Sequence, residues 1–91
     1  MRWTRRALAD VQAAQAYSRR HHPQATAVLG ERVRAAAAHL EAHPQLGRPG
    51  RVAGTRALSV SHTPFVIVYR VVPRCVQVVA FLHGARQWPG R

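Results

Sequence analysis

The amino-acid sequence predicts a domain of the α+β class, in which a short N-terminal strand and an α-helical hairpin precede an antiparallel sheet of three to four strands. Apolar, β-branched runs crowd into residues 55–86, whereas residues 5–43 carry apolar side chains at helical spacing. A three-stranded sheet is not stable alone in water, so the helices are expected to pack on one of its faces. With 91 residues the chain has room for one core, and we predict a single domain over residues 1–91.

Two helices are expected ahead of the sheet, after an edge strand at residues 1–3. Thr4 suits the N-cap of the first helix, and Pro23, after the break at residues 21–22, suits the first position of the second. The second helix is expected to end at His43, because a residue that precedes proline avoids the helical conformation. The expected inward-facing stripes are Ala7, Val11, Ala14 and Tyr17 in the first helix, and Ala25, Val28, Leu29, Val33, Ala36, Ala37 and Leu40 in the second.

The sheet is expected to contain three consecutive strands joined by tight turns. The central run, FVIVYRVV at residues 65–72, is almost entirely β-branched or aromatic, which is typical of a strand buried on both faces. Residues 56–61 alternate, which predicts that Val60 faces the core and Ala57 faces water. The other two segments are a last apolar strand at residues 75–82 and a Gly- and Pro-rich loop at residues 44–54.

The balance of charge is strongly basic. The formal net charge is +11, from 14 arginines and no lysine against Asp10, Glu31 and Glu41. This excess indicates an anionic partner, which is nucleic acid, the ribosome or an acidic protein, although a GC-rich genome explains the use of arginine alone equally well. The three acidic residues fall on the predicted helices and are expected to be exposed, which excludes a pair of carboxylates for acid–base catalysis.

The sequence predicts no cofactor, no metal and no membrane segment. His39 and His43 have helical spacing but lack a neighbouring carboxylate or cysteine, and GRPG at residues 47–50 lacks the lysine of a phosphate-binding loop. Residues 1–14 lack the apolar segment of a signal peptide, and no run is long enough to cross a bilayer. A single cysteine, Cys75, excludes an intramolecular disulfide, so a cytoplasmic location is expected.

The candidate side chains for binding or catalysis are arginines and one histidine around the predicted sheet. Guanidinium groups can bind a phosphodiester and stabilise the charge that develops on it, and His83 is the one obvious proton carrier. The alternative is that each arginine belongs to a solvated basic rim. The residues concerned are Arg48, Arg51, Arg56, Arg70, His83 and Arg86.

Four short motifs follow one another along the chain: HPQLGR at residues 43–48, TR at residues 55–56, VYR at residues 68–70 and LHGAR at residues 82–86. In this order they resemble the RelE/ParE superfamily of toxins from type II toxin–antitoxin modules. The resemblance covers essentially the whole chain. It implies a RelE/ParE-like fold with a strand, a helical hairpin and an antiparallel sheet, in agreement with the prediction from periodicity.

The resemblance leaves the target of the toxin open. RelE-type members are ribosome-dependent endoribonucleases that cut mRNA, whereas ParE-type members inhibit DNA gyrase. The RelE pattern has a catalytic arginine after the aromatic residue that opens the central strand, where this chain has Val66. It also has a tyrosine in the C-terminal segment, where this chain offers only Trp88. Because LHGAR is closer to the ParE side, the resemblance favours gyrase, with a ribosome-dependent mRNA endoribonuclease as the alternative.

The resemblance also implies functional residues and a protein partner. If the chain is RelE-like, its catalytic residues are Arg56, His83 and Arg86. The residues expected to contact the target are Arg48, Arg51, Arg70 and Trp88. The expected partner is a cognate antitoxin, acidic and partly disordered, which neutralises growth arrest by forming a toxin–antitoxin hetero-oligomer. We expect it to bind the outer groove of the helical hairpin and an exposed sheet edge.

Overall fold

The computed structural model describes residues 1–84 and confirms the predicted α+β class. Two helices pack on one face of a sheet, and no helix among these residues has the length and apolar character needed to cross a membrane. The elements are β1 (Arg2–Trp3), α1 (Arg5–His21), a 3-10 turn (Pro23–Ala25), α2 (Thr26–Ala42), β2 (Arg48–Pro49), β3 (Arg56–Ser59), β4 (Phe65–Val72) and β5 (Cys75–His83).

The sheet has five strands in the order β1-β5-β4-β3-β2, which is more than the three to four predicted. The pairing of β1 with β5 is parallel and the other three pairings are antiparallel, so the sheet is mixed. The additional strand, β2, lies in the segment predicted to be a loop. It pairs Arg48 with Ala57 and Pro49 with Arg56, and two residues are too few to show the alternation that reveals a strand. Proline lacks a backbone N–H, which suits an edge strand.

The principal core lies between the helices and one face of the sheet. The predicted burial of Leu29, Val33 and Leu40 is confirmed, and they share a cluster with Ile67 of β4. The prediction was wrong for Val28, which is exposed, as are Tyr17 and Ala25 at the same end of the hairpin. One cause is that the second helix opens as a 3-10 turn, so that the α-helical stripe begins only after Ala25.

The start of α1 is fixed to β5 by polar contacts. The predicted N-cap is confirmed, since the Thr4 hydroxyl accepts a hydrogen bond from the Ala7 N–H at 3.1 Å. The same hydroxyl donates to the Val79 carbonyl at 3.3 Å. One helical turn and a half further on, Asp10 Oδ2 accepts from the Phe81 N–H at 3.1 Å. Asp10 is therefore partly buried, not exposed as predicted, because it satisfies a backbone donor on the strand edge that β1 is too short to cover.

A second, smaller apolar cluster lies on the sheet face opposite the helices. It comprises Ala57, Val66, Val68 and Ala80. Ala57 is only 3% exposed, so the prediction that it faces water was wrong. It pairs with Val68 in β4, and neighbouring strands bury this small side chain between larger ones. Alternation along a strand identifies which residues share a face, but it does not show how much water that face meets.

The hydroxyl of Tyr69 organises the connection between α2 and the sheet. Tyr69 is completely buried; its hydroxyl donates to the Pro44 carbonyl at 2.8 Å and accepts from the Gly47 N–H at 2.8 Å. Arg56 Nη1 completes the arrangement by donating to the Gly47 carbonyl at 2.7 Å. A Cβ atom at position 47 would lie 2.6 Å from the Tyr69 hydroxyl, so only glycine fits there. We call Pro44, Gly47, Arg56 and Tyr69 the Tyr69 clamp.

Truncation of Leu40 tests the packing of the hairpin on the sheet. Leu40 is fully buried, and Leu40→Ala should lower the free energy of unfolding by about 2–5 kcal/mol, since it removes apolar contacts and leaves a cavity. Leu46→Ala is the matched control, because Leu46 is 50% exposed, and it should change stability by less than about 0.5 kcal/mol. Denaturant unfolding measures both, and equal effects would contradict the assigned core.

Removal of one oxygen atom tests the Tyr69 clamp. Tyr69→Phe should lower the free energy of unfolding by about 1–3 kcal/mol, because it leaves the Gly47 N–H and the Pro44 carbonyl without their partner. Tyr17→Phe removes the same atom from a side chain that is 53% exposed, and should be neutral within about 0.5 kcal/mol. A neutral Tyr69→Phe in thermal or denaturant unfolding would show that the clamp contributes little.

Candidate functional site

A groove of about 970 Å³ lies between the helical hairpin and the end of the sheet. We call it the hairpin groove. Its floor contains the stacked rings of Phe65 and Phe81, whose centroids are 4.9 Å apart. Its walls include Tyr17 of α1 and Val28 of α2, which are 53% and 45% exposed. Large apolar side chains with this much exposure are suited to contact another apolar surface.

The groove exists because α1 extends further than the strand on which it packs. Asp10 contacts the backbone of Phe81, and from there α1 continues for seven residues to Tyr17, a rise of about 10 Å. From Phe81 to the end of β5 at His83 is two residues, or about 7 Å. Tyr17 keeps the spacing of the buried stripe, but among residues 1–84 no strand extends beneath it. This explains why helical periodicity alone placed Tyr17 in the core.

Three imidazoles line the same groove, from His22, His62 and His83. The ring of His83 stands edge-on to the face of Phe65, with 5.7 Å between centroids and 75° between planes. His62 belongs to the tight connection between β3 and β4 and has a φ of 63°, a left-handed conformation that histidine tolerates better than most residues. His22 and His62 were not among the predicted functional residues, since both fell in apparent connections between elements.

The structure does not bring Arg56 and His83 together. Arg56 pairs with Tyr69 and His83 with Phe65, so the two positions are four residues apart along β4 and lie on the strands on either side of it, which places their Cα atoms about 16 Å apart. Arg56 lies at the end of the sheet near Gly47 and uses its guanidinium in the Tyr69 clamp. His83 lies at the other end, in the hairpin groove. Arg86, the third residue predicted to be catalytic in a RelE-like enzyme, is outside the described residues.

The residues predicted to contact the target are distributed over several surfaces. Arg48 in β2 and Arg70 in β4 are exposed, and the register places both on the sheet face opposite the helices. Arg51 is exposed in the connection between β2 and β3. Trp88 lies outside the described residues. Within residues 1–84, no group of three or more His, Cys, Asp or Glu side chains is placed to hold a metal ion.

Three of the motifs noted in the sequence meet at the Tyr69 clamp. Gly47 comes from HPQLGR, Arg56 from TR and Tyr69 from VYR, and each contributes a hydrogen bond to the same small cluster. The fourth motif, LHGAR, begins in β5 beside the hairpin groove, and the Gly84 N–H donates to the Pro64 carbonyl at 2.7 Å. The first three motifs therefore stabilise the fold. Their presence indicates a shared structure and does not by itself indicate a target.

Comparison with known proteins agrees with this fold. The family model of the ParE toxin of the type II toxin–antitoxin system parDE matches residues 1–88. A putative toxin, Y4kP, from Sinorhizobium fredii is 37% identical over 89 residues, which cover 98% of this chain and 92% of that protein. Toxin RelE2 from Caulobacter vibrioides is 38% identical over 84 residues, which cover 92% and 93%.

A solved structure supports the same relationship. A chain from the chromosomal ParDE toxin–antitoxin system of P. aeruginosa superposes with a TM-score of 0.80 at 26% identity. The match covers 90% of this chain and 91% of that one, so both helices and the sheet are included. Sequence and structure agree, and the chain belongs to the ParE toxin family of type II toxin–antitoxin systems.

Proposed function

We propose that this toxin arrests bacterial growth by inhibiting DNA gyrase through its surface, without chemistry of its own. The observation that carries the proposal is the separation of Arg56 from His83. Cleavage of RNA needs a proton carrier within about 3 Å of the reacting hydroxyl and a cation on the same phosphodiester. The Cα atoms of Arg56 and His83 are about 16 Å apart, and the Arg56 guanidinium donates to the Gly47 carbonyl, so these two side chains do not serve one scissile bond.

The alternative is a ribosome-dependent mRNA endoribonuclease. It is kept because one relative that is 38% identical carries the name RelE2. Two features of this chain count against it. Arg56 is engaged by the Gly47 carbonyl, so its guanidinium has a structural task. The position that holds an arginine in the RelE pattern is Val66, which is buried in the second apolar cluster. An inhibitor that acts by contact needs neither residue to be catalytic.

Assays with purified toxin distinguish inhibition of gyrase from cleavage of mRNA. We expect inhibition of DNA supercoiling by gyrase and no cleavage of mRNA on programmed ribosomes. His83→Ala supplies the internal control, because removal of a proton carrier from an endonuclease should slow cleavage by about 10²–10⁴-fold, whereas growth arrest by a gyrase inhibitor should persist. Cleavage by the wild type that His83→Ala abolishes would replace gyrase with the ribosome as the target.

We also propose that the antitoxin places an apolar segment in the hairpin groove. Tyr17 and Val28 offer exposed apolar surface there, and the last turn of α1 adds Arg19, Arg20 and His21 beside it. A partner segment with aliphatic residues and neighbouring carboxylates fits both features. The net charge of +11 supports an acidic partner, which would meet the toxin faster at low salt than at high salt.

A pair of matched valine substitutions tests this placement. Val28 in the groove and Val71 in β4, outside the groove, are both 45% exposed. Val28→Glu should weaken binding of the protein encoded by the adjacent reading frame by at least about tenfold, because it places a carboxylate in an apolar contact with an acidic partner. Val71→Glu should change binding by less than about twofold. Equal affinities of the two variants, measured by calorimetry, would exclude the groove as the antitoxin site.

A further inference from the structure

Acidic residues are confined to the first half of the chain. Asp10, Glu31 and Glu41 all lie on α1 and α2, among seven arginines in residues 1–42. Residues 43–91 contain seven arginines and no aspartate or glutamate. The strands β2 to β5 therefore present cations without a side-chain carboxylate in their own part of the chain. The acidic side chains that approach these strands come from the helices: Asp10 accepts from the Phe81 N–H at the edge of β5, and Glu41 lies beside the turn between β4 and β5.

The strand register brings three arginines to one face of the sheet. Arg2 pairs with Gln77, and Gln77 pairs with Arg70, so these residues form a row across β1, β5 and β4. Arg48 pairs with Ala57 in the adjacent row. Their neighbours Trp3, Tyr69 and Val78 belong to the core under the helices. Because side chains alternate along a strand, Arg2, Arg48 and Arg70 lie on the opposite face, and all three are exposed. We call this surface the arginine face.

The sheet sets the spacing of these arginines. Two strand steps separate Arg2 from Arg70, which places their Cα atoms about 10 Å apart. Arg70 in β4 and Arg48 in β2 are two strands apart and are offset by two residues along the strands. Their Cα atoms are therefore about 12 Å apart. Flexible arginine side chains on such a frame can reach several phosphates along a backbone that carries one charge about every 3.4 Å per strand. The frame is rigid because hydrogen-bonded strands hold the Cα positions.

One of the three guanidinium groups is already oriented. Arg70 Nε donates to Gln77 Oε1 at 3.0 Å, which directs the side chain along the surface and leaves its terminal nitrogens for a ligand. Arginine donates in a fixed fork that matches two oxygens of a phosphate. All three acidic residues of the chain are on the helices, on the other side of the sheet. The arginines of this face thus have a fixed spacing and are exposed, and none of the described residues 1–84 places a side-chain carboxylate on the face.

We propose that the arginine face binds the phosphodiester backbone of a nucleic acid. An acidic peptide is the less favoured ligand, because the arginines have a fixed, two-dimensional spacing and the hairpin groove already offers an apolar site to a protein segment. The inference goes beyond the proposed function and does not depend on it. Gyrase and the ribosome both carry nucleic acid, so contact with a phosphate backbone would help to hold the toxin at either target.

Fluorescence anisotropy with purified full-length toxin tests the proposal. The probes are a fluorescein-labelled DNA duplex and a single-stranded RNA of the same sequence, each titrated over a range of salt concentrations. The test variant is the triple Arg2→Gln, Arg48→Gln and Arg70→Gln. The matched control carries the same loss of charge on the helices, Arg5→Gln, Arg20→Gln and Arg34→Gln, at positions that are also exposed.

The two triple variants should behave differently. The arginine-face variant should bind the preferred probe at least about tenfold more weakly, and for duplex DNA its dependence of log K on log salt should become shallower by about 2–3, since each lost phosphate contact contributes about 0.9. The helix variant should lose less than about threefold. The probe that the wild type binds more tightly shows whether the arginine face prefers DNA or RNA. Either preference supports the proposal if the arginine-face variant loses the affinity for that probe.

Three outcomes would overturn the proposal. Equal losses in both variants would mean that net charge attracts nucleic acid without a defined face. Unchanged binding in the arginine-face variant would mean that these arginines do not contact it. Unchanged nucleic-acid binding together with lost antitoxin binding would make the face a protein surface. Circular dichroism and thermal unfolding of both variants show that the fold is retained. Gyrase inhibition by the wild type is measured separately, so failure of one proposal does not imply failure of the other.

Discussion

The hydroxyl group of Tyr69 links the end of α2 to the sheet. A fully buried hydroxyl is costly unless it is hydrogen-bonded, and this one joins the Pro44 carbonyl and the Gly47 N–H at the end of α2 to the middle of β4. Gly47 is held from its other side by Arg56, which places β2 beside β3. The hairpin, the edge strand and the central strand are therefore tied at one point, and the hairpin groove lies at the opposite end of the sheet.

The residues of the family motifs have structural roles in this arrangement. Arg56 resembles a catalytic residue in sequence, but in the structure its guanidinium supports the Gly47 carbonyl, and its Cα atom lies about 16 Å from that of His83. The motifs that reveal the family are thus explained by packing and hydrogen bonding. The surfaces that we propose for the antitoxin and for nucleic acid lie elsewhere, in the hairpin groove and on the arginine face. Two separate surfaces would allow an antitoxin and a nucleic acid to be recognised by different chemistry.

The sequence predicted the elements that have strong local signals. The bounds of β4, the N-cap at Thr4 and the burial of Leu29, Val33 and Leu40 all follow from periodicity, capping chemistry and β-propensity. It could not predict β2, which is too short to alternate, or the exposure of Tyr17 and Val28, because periodicity assigns a helix face without showing where the sheet beneath it ends. Strand register decides which arginines share a face with Arg70, and register is a tertiary property that no local pattern contains.

Selection for resistance in growing cells tests whether the toxin arrests growth by binding gyrase. Cells that survive expression of the toxin, with the toxin gene intact, are sequenced to locate the mutations that protect them. The account predicts substitutions in the subunits of DNA gyrase, and purified enzyme that carries them should supercoil DNA in the presence of toxin. Protective mutations confined to ribosomal components, together with new mRNA 5′ ends in the arrested parent cells, would contradict it.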